Sequence, residues 1–370
     1  PISLHLGPLA DAAHPRLAHL AERPRDAVAA SFQPGQLLDD YMHDRPSSKL
    51  FQTLRAAREL REAVDAVAVV CEEPIGHLVQ GLFETCCHPF HNALSRGERG
   101  GRPRLYFDVG PPDADRTAGL LDLLGAARGS DLLDCWGVVR IASGGPATLS
   151  AAAAAWETAV AAPQPATPQP ATPQPAAPQP AAPQPAAPQP AAPQPAAPLR
   201  QPRRSLRLSA PAGPGADGFP AAVLLVASAA GIDVVRFLGG GVAMQRRFLE
   251  SPADSNPPLL LAAALQAVAG QPQPSLLMLD SDQATATAAL ARWWACQAPD
   301  GGLGPHHRCV LKISQPRREL RPSPEPVAAA VPSVPPPTIV LPRLDEHTVG
   351  QLVALRLLAG QLLAREAAEA

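Results

Sequence analysis

The chain has 370 residues, 46% hydrophobic and 17% charged, enough apolar sequence for two ordinary domains or one large α/β unit. Its formal charge of −2 leaves no basic surplus for nucleic acid or an anionic membrane. Six cysteines at irregular spacing make no disulfide framework and fit a reducing compartment.

In chain order, Leu50, Leu54, Ala57, Leu60 and Val64 recur at helical spacing with Arg and Glu between them. The run Ala66 to Val70 follows as a buried strand. Leu78 to Cys87 reads as a helix, Arg104 to Asp108 as a strand, Thr117 to Ala127 as a helix and Gly137 to Ile141 as a strand. Ala151 to Val160 is helical by propensity. Beyond the middle of the chain, Asp233 to Glu250, Leu259 to Val268 and Gln283 to Cys296 read as helices. Ser275 to Asp280, Cys309 to Ile313 and Thr338 to Leu341 read as strands, and Glu346 to Ala367 as a closing helix. Helix and strand alternating at this spacing predict an α/β protein with two doubly wound parallel-sheet halves.

Between the halves, residues 162–198 repeat a five-residue unit, PQPAT and then PQPAA. Proline at two of every five positions removes backbone donors and excludes helix and sheet interiors. The tract reads as a polyproline II spacer, about 110 Å long if fully extended at ~3.1 Å per residue. It contains no basic residue of the kind that flanks ligands of SH3 modules, so a spacer is the simpler reading. The expected organisation is a first subdomain over 1–160, a linker over 161–200 and a second subdomain over 201–370. Gln315 to Pro337 is a shorter proline-rich loop.

The apolar runs Phe219 to Ile232 and Pro257 to Pro272 fall short of a membrane span. The first residues have no basic segment followed by an apolar core, so no secretory signal is expected and a cytoplasmic protein is. The chain does not begin with Met, which suggests a fragment. With two lysines against 29 arginines, candidates for an amine nucleophile are few.

Ser47 to Val70 with Cys86 to Phe107, then Gly231 to Leu260, Ala289 to Ala295 and Thr338 to Gly360, resemble bacterial glucose-6-phosphate isomerases in order and spacing. The resemblance implies two sugar-isomerase subdomains, the first incomplete because the repeat stands where a helix and strand should complete its sheet. It also implies a homodimer, a sugar-phosphate partner and interconversion of glucose-6-phosphate and fructose-6-phosphate without a cofactor. That chemistry needs a carboxylate to move a proton between two carbons, an Arg where the enediolate charge grows, a His to open the ring and amides or hydroxyls for the phosphate.

Position by position, the family's first phosphate turn falls on Cys71, Glu72, Glu73, Pro74 and Ile75, where two carboxylates repel a phosphate and Pro74 lacks an amide donor. The second falls on the stretch from Arg140 to Thr148 and offers Ser143, Gly144, Gly145 and Thr148 as phosphate ligands. The same Ser-Gly-Gly also reads as a helix cap. The catalytic Arg falls on Arg204, which three further arginines crowd, as in a solvated basic patch. The base position falls on Cys296, and Asp300 is the nearest substitute carboxylate. The His position falls on Lys312, with His306 and His307 as displaced substitutes or plain loop residues. The expectation is therefore a glucose-6-phosphate isomerase-like protein of impaired catalysis, or a non-catalytic sugar-phosphate-binding or scaffold member. A third possibility is an interaction protein working through its repeat. Cys86, Cys87, His88 and His91 lack a second ligand pair at zinc-finger spacing, so no metal is expected. No Gly-x-Ser-x-Gly elbow supports a hydrolase.

Overall fold

The computed structural model describes residues 1–30, 32–111, 113–125, 135–143, 154, 156–158, 204–210, 219–269, 276–281, 284–297, 306–315 and 337–369. The proline-glutamine repeat lies outside them. After strand β1 (Ser3–His5) come helices α1 (Ala10–Ala21), α2 (Arg25–Ala30), α3 (Pro34–His43) and α4 (Lys49–Ala63). Ser48 caps α4, its hydroxyl accepting the Phe51 amide at 3.1 Å, a contact worth about 1 kcal/mol.

Strands β2 (Ala66–Cys71), β3 (Arg104–Val109), β4 (Trp136–Ser143) and β5 (Arg204–Ala210) form one parallel sheet in the order β3-β2-β4-β5. Helix α5 (Ile75–Cys86) follows β2, and α6 (Ala114–Gly125) follows β3. The alternation along β2 shows why an unbroken apolar run is needed here. Val67, Val69 and Cys71 enter the main core, while Ala68 and Val70 enter a second core with Leu121, Leu124, Trp136, Val138 and Trp156. Both faces are covered, so neither can be polar.

Beyond the repeat run α7 (Ala221–Ala230), α8 (Val234–Glu250), α9 (Pro257–Ala269), strand β6 (Leu276–Ser281), α10 (Ala284–Cys296), strands β7 (His306–Gln315) and β8 (Thr338–Arg343), and α11 (Glu346–Glu369). The second sheet has the order β1-β8-β7-β6, parallel except for β1 against β8. Helices α8 and α11 cross with backbones in contact: a Cβ on Gly240 would lie 2.0 Å from the His347 carbonyl oxygen, and one on Gly350 2.0 Å from that of Phe237. Glycine inside a helix costs about 1 kcal/mol against alanine. Here it permits the close packing of two helices that are buried along much of their length.

The pairing divides the chain differently from the boundaries drawn at 160 and 200. β1, from the first part, is the edge strand of the second sheet, where Leu4 faces Ile339. β5, from beyond the repeat, pairs with β4 as the fourth strand of the first sheet, so that sheet does not end at the repeat. Hydrogen bonding to a strand edge outweighs nearness in sequence, because an unpaired edge leaves backbone groups exposed. No described helix is long and apolar enough to cross a membrane.

Candidate functional site

From β2 the chain passes to β3 on one side and then crosses back to β4 on the other. The strand order therefore reverses at β2 and β4, and the crevice outside their carboxyl ends is where an open parallel sheet receives ligands. Cys71 pairs with Ile141 at that end. Glu72, Glu73 and Pro74 lead from β2 into α5, and Ser143 closes β4.

Three chemically active side chains meet beside this crevice. His77, in the first turn of α5 with 10% of its side chain exposed, donates from Nε2 to Glu73 Oε1 at 3.0 Å. The Cys296 thiol, at the last residue of α10, donates to Glu73 Oε2 at 3.6 Å. Burial pushes the Cys296 thiol up to about 11, and the Glu73 carboxylate adds to the rise. Burial also lowers His77, outweighing the pull of Glu73 towards the charged form. Glu73 thus accepts from a protonated thiol and a neutral imidazole. His77 Nδ1 is buried and without a hydrogen-bond partner among the described residues.

The trio depends on how α5 packs on α10. A Cβ on Gly81 would lie 2.9 Å from the Leu290 backbone nitrogen, so glycine alone lets the helices close to this distance. One turn on, Glu84 Oε2 accepts the Ala289 amide at 3.2 Å, and its Oε1 accepts Gln80 Nε2 at 2.8 Å. Gly76 seats the start of α5 against Val109 and Cys71, whose side chains a Cβ there would meet at 2.5 and 2.8 Å. Past the end of α10, Arg356 Nη2 of α11 donates to the Gln297 carbonyl at 2.8 Å. Its guanidinium lies over the Trp294 ring, 5.6 Å from the centroid. Burial lowers Arg356 to about 10.

Asp108, near the carboxyl end of β3, is already engaged. It accepts Thr117 Oγ1 at 3.2 Å and Trp156 Nε1, and pairs with Arg116 at 3.3 Å. Its role is to hold α6 and the helical residues around Trp156 on the sheet.

The residues singled out by sequence are placed unevenly. Ser143 ends β4, Arg204 opens β5 and His306 opens β7, but their side chains lie outside what is described. Gly144, Gly145, Thr148 and Asp300 fall outside the described residues. Arg204 pairs with Gly137, at the start of β4 and so at the opposite end of the strands from the crevice. A contact between Arg204 and the base position is thus not what the register favours, because parallel strands carry their first residues to the same edge. Lys312 is an exposed mid-strand residue of β7. Of the alternative zinc group, His91 is committed elsewhere, its Nε2 donating to the Pro103 carbonyl at 3.0 Å. Cys87 is buried, its thiol 3.9 Å from the Ala230 carbonyl. None of the six cysteines forms a disulfide. His77 is missed by the sequence reading, although the Glu73-x-x-x-His77 spacing puts two ligand-type residues one helical turn apart.

No protein-family model matches the chain. No curated protein matches its sequence. Among solved structures, a glucose-6-phosphate isomerase from Chlamydia trachomatis D/UW-3/Cx aligns at 13% identity over 85% of this chain and 68% of that one, with a TM-score of 0.49. A hypothetical protein from Thermus thermophilus aligns at 14% identity over 98% of this chain and 94% of that one, with a TM-score of 0.57. The α/β architecture is thus shared with a solved bacterial protein over nearly the full length of both chains.

Proposed function

We propose that this chain is a sugar-phosphate-binding protein of the glucose-6-phosphate isomerase kind, whose interconversion of glucose-6-phosphate and fructose-6-phosphate is impaired. One observation carries the reading. The positions on which the family's first phosphate turn falls, Cys71 to Ile75, and the position of its base, Cys296, lie more than two hundred residues apart in sequence. They meet in space, with Cys296 Sγ 3.6 Å from Glu73 Oε2. Phosphate and base positions must adjoin in any site that holds a sugar phosphate while moving a proton along its carbon chain.

The same geometry supports impairment. A thiol raised to about 11 is protonated at neutral pH and does not abstract a proton from carbon. Glu72 and Glu73 repel a phosphate from the β2 side, which leaves Ser143, Gly144, Gly145 and Thr148 as the phosphate ligands in this reading. A homodimer in the cytoplasm belongs to the same proposal.

Calorimetric titration with fructose-6-phosphate tests binding, and a dehydrogenase-coupled assay tests turnover, with a parallel purification from cells lacking this chain as the control for contaminating isomerase. The expected result is saturable binding with turnover no higher than the control. Absence of binding would leave only a scaffold, and turnover well above the control would show an intact active site.

A further inference from the structure

We propose that Glu73, His77 and Cys296 form a binding site for a zinc-class divalent transition metal, with one coordination position left open. The donors come from two separate elements, the β2–α5 junction and the last residue of α10, and one ligand atom from each lies within 4.8 Å of the other two. Zinc bonds of about 2.0–2.3 Å place neighbouring ligands of a tetrahedral centre about 3.3–3.6 Å apart. Glu73 Oε1 lies 3.0 Å from His77 Nε2 and Glu73 Oε2 lies 3.6 Å from Cys296 Sγ, so the two carboxylate oxygens face the two other donors, and a turn of the carboxylate with small shifts of the chain brings one oxygen to a shared metal. Glu73, half-exposed, is the ligand free to make those shifts, while His77 is held by burial.

The donor set selects the metal. A thiolate, an imidazole and a carboxylate suit zinc, cobalt or nickel, whereas magnesium and calcium require all-oxygen shells. Charge also closes: a carboxylate and a thiolate balance a dication, and the imidazole is neutral. As the metal bonds form, the thiol proton leaves for solvent, the imidazole hydrogen passes from Nε2 to Nδ1 so that the neutral ring ligates through Nε2, and the two hydrogen bonds to Glu73 are replaced by bonds to the metal. Besides Glu73, the charges acting on His77 are Arg292 of α10 and Glu84 of its own helix, which are of opposite sign. Three protein ligands leave the fourth position to water or a ligand oxygen, as in open rather than structural zinc sites. The site adjoins the crevice at the ends of β2 and β4, but the proposal does not rest on the sugar-phosphate reading.

The test uses the full chain, stripped of metal and titrated with Co²⁺ alone. Binding is expected to give the near-ultraviolet thiolate-to-cobalt band and the visible bands of tetrahedral cobalt, both lost on addition of Zn²⁺. Cys296→Ser should remove the charge-transfer band, and Cys135→Ser should retain it. Loss of an outer-shell partner alone costs about 10–100-fold in metal affinity, so Glu73→Gln, at a half-exposed position, should weaken binding at least about tenfold without unfolding the chain. No thiolate band in the unaltered protein, a band that persists in Cys296→Ser, or unchanged affinity in Glu73→Gln would each overturn the assignment and leave a hydrogen-bonded trio only.

Discussion

The Arg99 guanidinium, with none of its side chain exposed, sits 2.6 Å from Asp65 Oδ1. Arg96 reaches the same oxygen at 3.0 Å and Arg104 pairs with Oδ2. The Asp65 amide donates to the Cys135 carbonyl at 2.8 Å, and its carbonyl accepts the Arg104 amide at 2.7 Å. One carboxylate thus joins the starts of β2 and β3 to the arginine-rich loop between Ser95 and Pro103. Removing one partner of a buried ion pair costs about 3–5 kcal/mol, because the charges left behind are uncompensated. Asp65→Ala should lower unfolding stability by about that amount in a urea titration. A loss below about 1 kcal/mol, the range of solvent-screened pairs, would contradict the buried cluster.

The α8–α11 crossing makes a second expectation. Gly240→Ala or Gly350→Ala gains helix propensity on an isolated helix but drives a methyl group to 2.0 Å from a backbone carbonyl. Neither helix can yield without moving the core. Each substitution should destabilise by about 1–3 kcal/mol or more, read as a lower melting temperature. Gly119→Ala, with open space around the added carbon, is the control and should be neutral or stabilising.

Acid sensitivity follows from Asp345. Its carboxylate accepts the Thr348 amide at 2.9 Å at the start of α11, and pairs with Arg343 at 2.5 Å and Arg236 at 3.1 Å. Burial alone would raise this carboxyl, but the Thr348 bonds and the two guanidinia outweigh it and hold it below the usual range. The folded value lies under the unfolded one, so the contribution is fully present above about pH 3.9 and is lost as pH falls through the folded value. Asp345→Ala should cost about 1 kcal/mol at pH 7, and the deficit should close in strong acid. A deficit independent of pH would rule out the charge as its source.

His91 titrates in a milder range. Its ring is lowered chiefly by burial, against the pull of its bond to the Pro103 carbonyl. The unfolded chain therefore binds this proton more readily, and stability should decline as pH falls below about 6.5. His91→Gln should flatten the stability profile between pH 6.5 and the folded value, and an unchanged slope there would place the proton uptake elsewhere.

Much of the fold is legible in the sequence where burial is two-sided or amphipathicity sustained. The Ala66 to Val70 run, the Leu50 to Val64 helix and the closing helix all form within a few residues of the pattern that predicts them. β1 is not legible: three residues carry no period, and the partner that defines the strand, β8, lies at the far end of the chain. β5 has the strand alternation in Ser205, Leu206, Arg207, Leu208 and Ser209, but the arginines draw the eye to a catalytic motif instead. The site divides in the same way. Glu73 and His77 share a helical spacing, whereas Cys296 joins them only because Gly81 lets α10 approach α5.

Deletion of residues 162–198 tests where the repeat sits in the topology. β4 and β5 stay adjacent in the sheet, and shortening the connection between them changes the closure entropy by about 1 kcal/mol or less. The shortened chain should fold with near-native circular dichroism and melting temperature. Loss of folding would mean that the repeat takes part in the sheet's assembly.

Because β5 pairs with β4, the repeat is a length of chain inside one strand-to-strand crossover and not a hinge between two independent bodies. The sheet registers only where that crossover leaves and where it returns. Copy number is then nearly free to drift by replication slippage, each gain or loss of a five-residue unit leaving every strand with the same neighbours. A protease cut within the repeat should likewise yield two fragments that remain together, held by the β4–β5 ladder and a shared core.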